Sequence, residues 1–171
     1  VVGSERYFPE NILHADWSQF PAKGYDKPVT GVIYRGQPRP VSGMPLGGID
    51  TGCLDIEPTG MLGYCTIFNH YLNPRLLLNT PFLGINVEGK TWLLITDRKA
   101  KISTPTDNES ISTFPYTDYT PRYNEISELS DIEIIDSIDY WGHFPILDAQ
   151  FNNSNCPVGI GMRSFSPFIP G

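Results

Sequence analysis

The apolar runs in this 171-residue chain are short and are separated by tight-turn residues. No stretch of ten residues carries a convincing helical period, which restricts the fold to strands. Two places show the pattern most plainly. Phe82-Leu83-Gly84-Ile85-Asn86-Val87 and Thr91-Trp92-Leu93-Leu94-Ile95-Thr96 flank Glu88-Gly89-Lys90, a three-residue connection with a central glycine, which predicts a β-hairpin. Between Ser42 and Phe68, two further runs flank Pro58-Thr59-Gly60. Proline presets φ and glycine accepts positive φ, so a second hairpin is predicted there.

This central stretch opens on Gly43, Gly47, Gly48 and Gly52. Two readings are open for these glycines. They either admit close approach of a ligand or packed group, or they simply kink a strand. In the first arm Ile49, Thr51, Cys53, Asp55 and Glu57 share one parity, and Asp50, Gly52, Leu54 and Ile56 the other. Neither face is cleanly polar, as in an inner sandwich strand buried on both sides.

The remaining pattern is also β. Gly31 to Arg35 reads as a short strand, Glu128 to Tyr140 as a strand with Ile132, Ile134, Ile138 and Tyr140 on one parity, and Pro145 to Phe151 and Pro157 to Phe165 as two more. Asn152-Asn153-Ser154-Asn155 is a turn cluster, and Asn69 to Pro81 and Asp97 to Tyr123 are loops, the second long enough to suggest function or disorder. Sixteen glycines, sixteen prolines, 12% aromatic and only 18% charged residues suit many short strands. The expectation is an all-β fold, an antiparallel β-sandwich with little or no helix, over residues 32–171. Residues 1–31 show no periodicity and are expected as an extended N-terminal arm across a neighbouring surface.

A net charge of −7 argues against nucleic acid, and no apolar run approaches the ~20 residues of a spanning helix. No signal peptide is visible, which leaves the compartment open. Cys53, Cys65 and Cys156 lack metal-ligand spacing; Cys53 and Cys65 lie on the two hairpin arms, and buried thiols are the simpler reading. No cofactor and no metal site is expected.

Catalytic signals are sparse. Asp55 and Glu57 would stand about 6.5–7 Å apart along a strand, but one strand seldom supplies both carboxylates of a glycosidase. The acidic run 118–139 lacks the compact calcium-loop pattern and reads as a solvated strand face. His14, His70 and His143 have no shared spacing, and G-x-S-x-G, Walker and dinucleotide motifs are absent. Tyr116, Tyr119 and Trp141 are candidates for stacking on sugar rings, with ordinary packing as the alternative. The candidate ligand-binding set is Gly47, Gly48, Asp50, Gly52, Tyr119 and Trp141, with no catalytic residue.

Three blocks carry a resemblance. Pro45-Leu46-Gly47-Gly48-Ile49-Asp50-Thr51-Gly52 with its continuation to Phe68-Asn69, then Asn79-Thr80-Pro81-Phe82-Leu83-Gly84-Ile85, then Phe165-Ser166-Pro167-Phe168-Ile169-Pro170, resemble in order the N-terminal domain of glycoside hydrolase family 116. That family includes the non-lysosomal glucosylceramidases. Asp50 stands where the family's motif has glycine. The resemblance implies a β-sandwich, incomplete at the C-terminal side, that supports a separate (α/α)6 barrel carrying the catalytic carboxylates of a retaining β-glycosidase. It implies as partners that helical catalytic domain and a β-glucoside-type sugar. A free-standing carbohydrate-binding or structural β-sandwich is the alternative.

Overall fold

The computed structural model describes residues 6–37, 40, 43–48, 52–67, 70–71, 83–97, 101–103, 123–125 and 131–167. Among them no helix occurs, so no helix there is long and apolar enough to cross a membrane. The strands are β1 (Trp17–Phe20), β2 (Val29–Val32), β3 (Tyr34–Arg35), β4 (Met44–Gly48), β5 (Gly52–Ile56), β6 (Leu62–Ile67), β7 (His70–Tyr71) and β8 (Gly84–Val87). They continue with β9 (Lys90–Leu93), β10 (Lys101–Ser103), β11 (Tyr123–Glu125), β12 (Ile132–Ile134), β13 (Ser137–His143), β14 (Ile146–Asn152) and β15 (Ile160–Phe165).

Two four-stranded sheets, β15-β14-β13-β3 and β4-β5-β6-β7, and one three-stranded sheet, β12-β9-β8, enclose the main core; β1-β2 and β10-β11 are separate pairs. All neighbours are antiparallel except β12 and β9, which run parallel with Ile134 opposite Leu93. This is the all-β sandwich architecture that the turn-separated runs predict.

Alternation explains the core. In β13, Ile138 and Tyr140 point inward; in β14, Leu147, Ala149 and Phe151 do. With Ile56, Leu94 and Ile135 they form one buried cluster, against which Met44, Leu46, Leu62, Ile85 and Met162 pack from the other strands. Tyr140 crosses the gap, its hydroxyl donating to the Ile56 carbonyl at 2.8 Å. A smaller cluster of Met61, Ile95 and Ile134 closes the end near the Pro58–Gly60 turn.

Both predicted hairpins form, each with a refinement. Val87 pairs with Lys90, so the loop has two residues rather than three, and Glu88 and Gly89 both take positive φ (52° and 83°), as a type I′ turn requires. Around Pro58-Thr59-Gly60, β5 pairs with β6, but the register shifts between Leu54 and Ile56. That bulge turns two consecutive residues inward, and Asp55 and Ile56 are both buried. The cysteines are not cross-strand partners, since Cys53 pairs with Thr66 and Cys65 with Leu54. Cys53 and Cys156 are half-buried.

Periodicity gives no strand within residues 1–31, yet β1 forms there by pairing with β2, Phe20 opposite Val29. Four residues are too few for a period to be visible, and Trp17 at the exposed end hides the alternation. The glycine-rich start of the central stretch is itself strand β4, paired to β5 with Gly48 opposite Gly52. The 97–123 loop holds β10, which pairs with β11; residues 104–122 lie outside the described residues.

Candidate functional site

The outer face of the β15-β14-β13-β3 sheet gathers most of the buried polar groups. Asp139, Asp148 and Gln150 are among the four buried polar side chains of the described residues, the fourth being Asp55. Register explains the grouping, because residues paired across neighbouring strands project from the same face. Trp141, Asp148 and Arg163 form one cross-strand row. Arg35, Asp139, Gln150 and Gly161 form the next.

Asp148 is the centre. Arg163 grips its carboxylate with two donors, Nε to Oδ1 at 2.6 Å and Nη2 to Oδ2 at 2.7 Å, and His143 Nε2 lies 3.3 Å from Oδ2. Burial alone would raise the pKa of Asp148, but the Arg163 and His143 contacts outweigh it and hold the carboxyl below its ordinary range. Arg163 is correspondingly raised by its bonds to Asp148. A carboxylate held this way stays ionised, so it is neither a proton donor near neutrality nor an unshielded nucleophile. Beside it His143 stacks on Trp141, centroids 3.5 Å apart, and its Nδ1 is 3.4 Å from the Tyr25 hydroxyl.

The N-terminal segment covers this face. Tyr7 N–H donates to Gln150 Oε1 at 2.8 Å, Arg163 Nη2 donates to the Lys23 carbonyl at 2.6 Å, and Arg6 pairs with Asp139 at 3.6 Å. Phe8 and Phe20 pack edge-on against Trp141, at 6.4 and 5.0 Å between centroids, within a buried cluster completed by Ile12, Ala22 and Ile33. Arg35 fixes the segment from the side by donating to the carbonyls of Pro9 and Glu10. An open cavity of about 450 Å³ lies between its two limbs, lined by Arg6, Tyr7, Glu10 and Lys23 among others.

The residues singled out from the sequence are not brought together. Gly47, Gly48 and Gly52 lie where β4 meets β5, and a Cβ on Gly47 (φ 151°) would collide with the Gly52 carbonyl. The close backbone approach that Gly47 permits is therefore to the chain's own neighbouring strand. Trp141 lies in the other four-stranded sheet and is only 4% exposed, its ring taken by His143, Phe8 and Phe20. Asp50, Tyr116 and Tyr119 lie outside the described residues.

The acidic run divides. Asp131 and Asp136 are exposed, Glu133 pairs with Lys90 at 2.6 Å, and Asp136 accepts from Ser154 N–H at 2.8 Å. Asp139, expected on a solvated face, is instead 4% exposed beneath Arg6, because both faces of β13 are covered. No group of three or more His, Cys, Asp or Glu among the described residues could hold a metal ion. The grouping of Asp148, Arg163 and His143 is not evident from the sequence. Its one signal there is that Trp141 and His143 share a parity while Arg163 interrupts a run of glycine and apolar residues.

Comparison with known proteins gives one result. A family model described as beta-glucosidase 2, glycosyl-hydrolase family 116 N-term, matches residues 43–171. No curated protein and no solved structure matches. The match spans both four-stranded sheets apart from β3, and it covers the three motif blocks and the clamped Asp148 alike. The chain belongs to the family of glycosyl-hydrolase family 116 N-terminal domains.

Proposed function

We propose that this chain is the non-catalytic β-sandwich part of a retaining β-glycoside hydrolase of glucosylceramidase type. Its role is to support a separate (α/α)6 barrel that carries the catalytic carboxylates. Residues 32–171 form the supporting sandwich and residues 1–31 its arm. The observation that carries the reading is the family match over residues 43–171.

The state of the acids supports it. A retaining glycosidase needs two carboxyls about 5–5.5 Å apart and open to a sugar, one of them held protonated. Asp148 is clamped by Arg163 and kept ionised, Asp139 lies under the N-terminal segment, and Asp55 is turned into the interior by the bulge. A free-standing carbohydrate-binding sandwich would want an open aromatic platform, and the ring of Trp141 is already occupied.

Incubating the chain with an aryl β-glucoside tests the reading. No release above the buffer rate is expected. Turnover that disappears in Asp55→Asn or Glu57→Gln would place the chemistry in this domain and overturn the proposal.

A further inference from the structure

We propose that residues 6–25 form a strap that opens from the outer face of the β15-β14-β13-β3 sheet as a unit while the sandwich stays folded, with Arg163 as its catch. The two main apolar clusters make this separable. The strap cluster is built from Phe8, Ile12, Phe20, Ala22, Ile33 and Trp141, and it shares no residue with the cluster that holds the sheets together. The β13 strand lies between them, Tyr140 facing one and Trp141 the other. Lifting the strap therefore removes no side chain from the sandwich interior.

The face beneath is unusual for a permanently covered one. Asp139, Asp148 and Gln150 line it, and these groups regain water when it is uncovered. Asp139 Oδ2 is buried with no hydrogen bond and only a long ion pair to Arg6 at 3.6 Å, so water replaces little that is lost there. A wholly apolar lining would make opening far costlier. The opposing costs are the exposure of Phe8 and Phe20, 1% and 2% exposed when closed, and the loss of the β1–β2 pairing and of the Tyr7, Arg35 and Arg6 contacts, which keep the open form a minor one.

Arg163 acts as the catch because Asp148 orients its guanidinium, leaving Nη2 aimed at the Lys23 carbonyl. The next residue is shaped to it. Gly24 takes φ +86°, and a Cβ there would stand 2.8 Å from Arg163 Nη1. The strap thus meets the catch at a point where only glycine fits without strain.

Native-state hydrogen exchange of the whole chain tests this. The β1 amides and the Tyr7 amide are expected to exchange at least tenfold faster than the paired amides of β13 and β14 in the wild type. Gly24→Ala, which disturbs the catch from the strap side and keeps the Asp148–Arg163 pair, should speed strap exchange a further several-fold and leave β13–β14 protection within about twofold. Arg163→Gln removes the catch and also the partner of buried Asp148, so it is expected to lower strap and sheet protection together, the strap by the larger factor. Equal protection of strap and sheet in the wild type would overturn the proposal. So would variants that lower both by the same factor, or a folded variant that changes neither.

Discussion

The Tyr140 hydroxyl donates to the Ile56 carbonyl at 2.8 Å, tying β13 to β5 through the middle of the sandwich. The two residues are far apart in sequence, and both are at least 95% buried. The bond satisfies a carbonyl at the bulge, where the β5–β6 ladder slips. Burial, helped by nearby Asp55 and Glu57, pushes the phenol's ionisation far above its ordinary value near 10.

Tyr140→Phe should therefore cost about 1–2 kcal/mol in urea unfolding, since the Ile56 carbonyl is left buried and unsatisfied. The variant should also flatten the alkaline side of the stability profile. A group whose folded ionisation lies above its unfolded one contributes fully below pH ~10 and loses its contribution as pH rises beyond that. An unchanged alkaline limb in Tyr140→Phe would show that Tyr140 is not the source of the alkaline loss.

Asp148→Asn should cost about 2 kcal/mol, less than for a fully buried pair because Arg163 is 27% exposed. The sign at low pH is opposite to that of Tyr140. Asp148 is depressed, so its contribution is complete above the unfolded value near 3.9 and declines as pH falls below it. Wild type and Asp148→Asn should converge in melting temperature as the pH is lowered below about 4. Parallel curves throughout would rule out Asp148 as a source of the acid limb.

Glu88 occupies the left-handed region at φ 52°, a conformation that favours Asn or Gly. Glu88→Asn should raise stability by about 0.5 kcal/mol, with the β8–β9 register unchanged. Thermal melts read the gain directly, and a loss would mean that the Glu88 side chain contributes more than its backbone costs.

Gly47 and Gly89 separate two reasons for glycine. Gly89 has φ 83° and open space where a methyl would stand, so Gly89→Ala should cost only the backbone strain of about 1 kcal/mol. At Gly47 the added methyl would meet the Gly52 carbonyl as well, and Gly47→Ala should cost at least about 2 kcal/mol. Equal losses at the two sites in urea unfolding would mean that β4 and β5 can part without penalty.

Most strands are legible in the sequence because their runs are bounded by turn chemistry. Glu88-Gly89 announces the β8–β9 hairpin, and the alternation from Pro157 to Phe165 announces β15. What is not legible depends on pairing between distant segments. Asp139 and Asp148 look like solvated acids locally, and only the register with Arg163 and the cover of Arg6 bury them. Trp141 looks like an exposed ring because nothing local announces that Phe8 and Phe20 will reach it. The bulge at Asp55 defeats the parity count by inserting one residue.

The strap's contacts also dictate an order of events during synthesis. Phe8, Phe20 and Arg6 leave the ribosome more than a hundred residues ahead of Asp139, Trp141 and Arg163, the groups they rest on. At about 5–20 residues per second, this segment waits seconds with its aromatic side chains uncovered. The strap is thus made before the sheet it rests on and finished after it, and loops that long make its closure a slow, high-contact-order step.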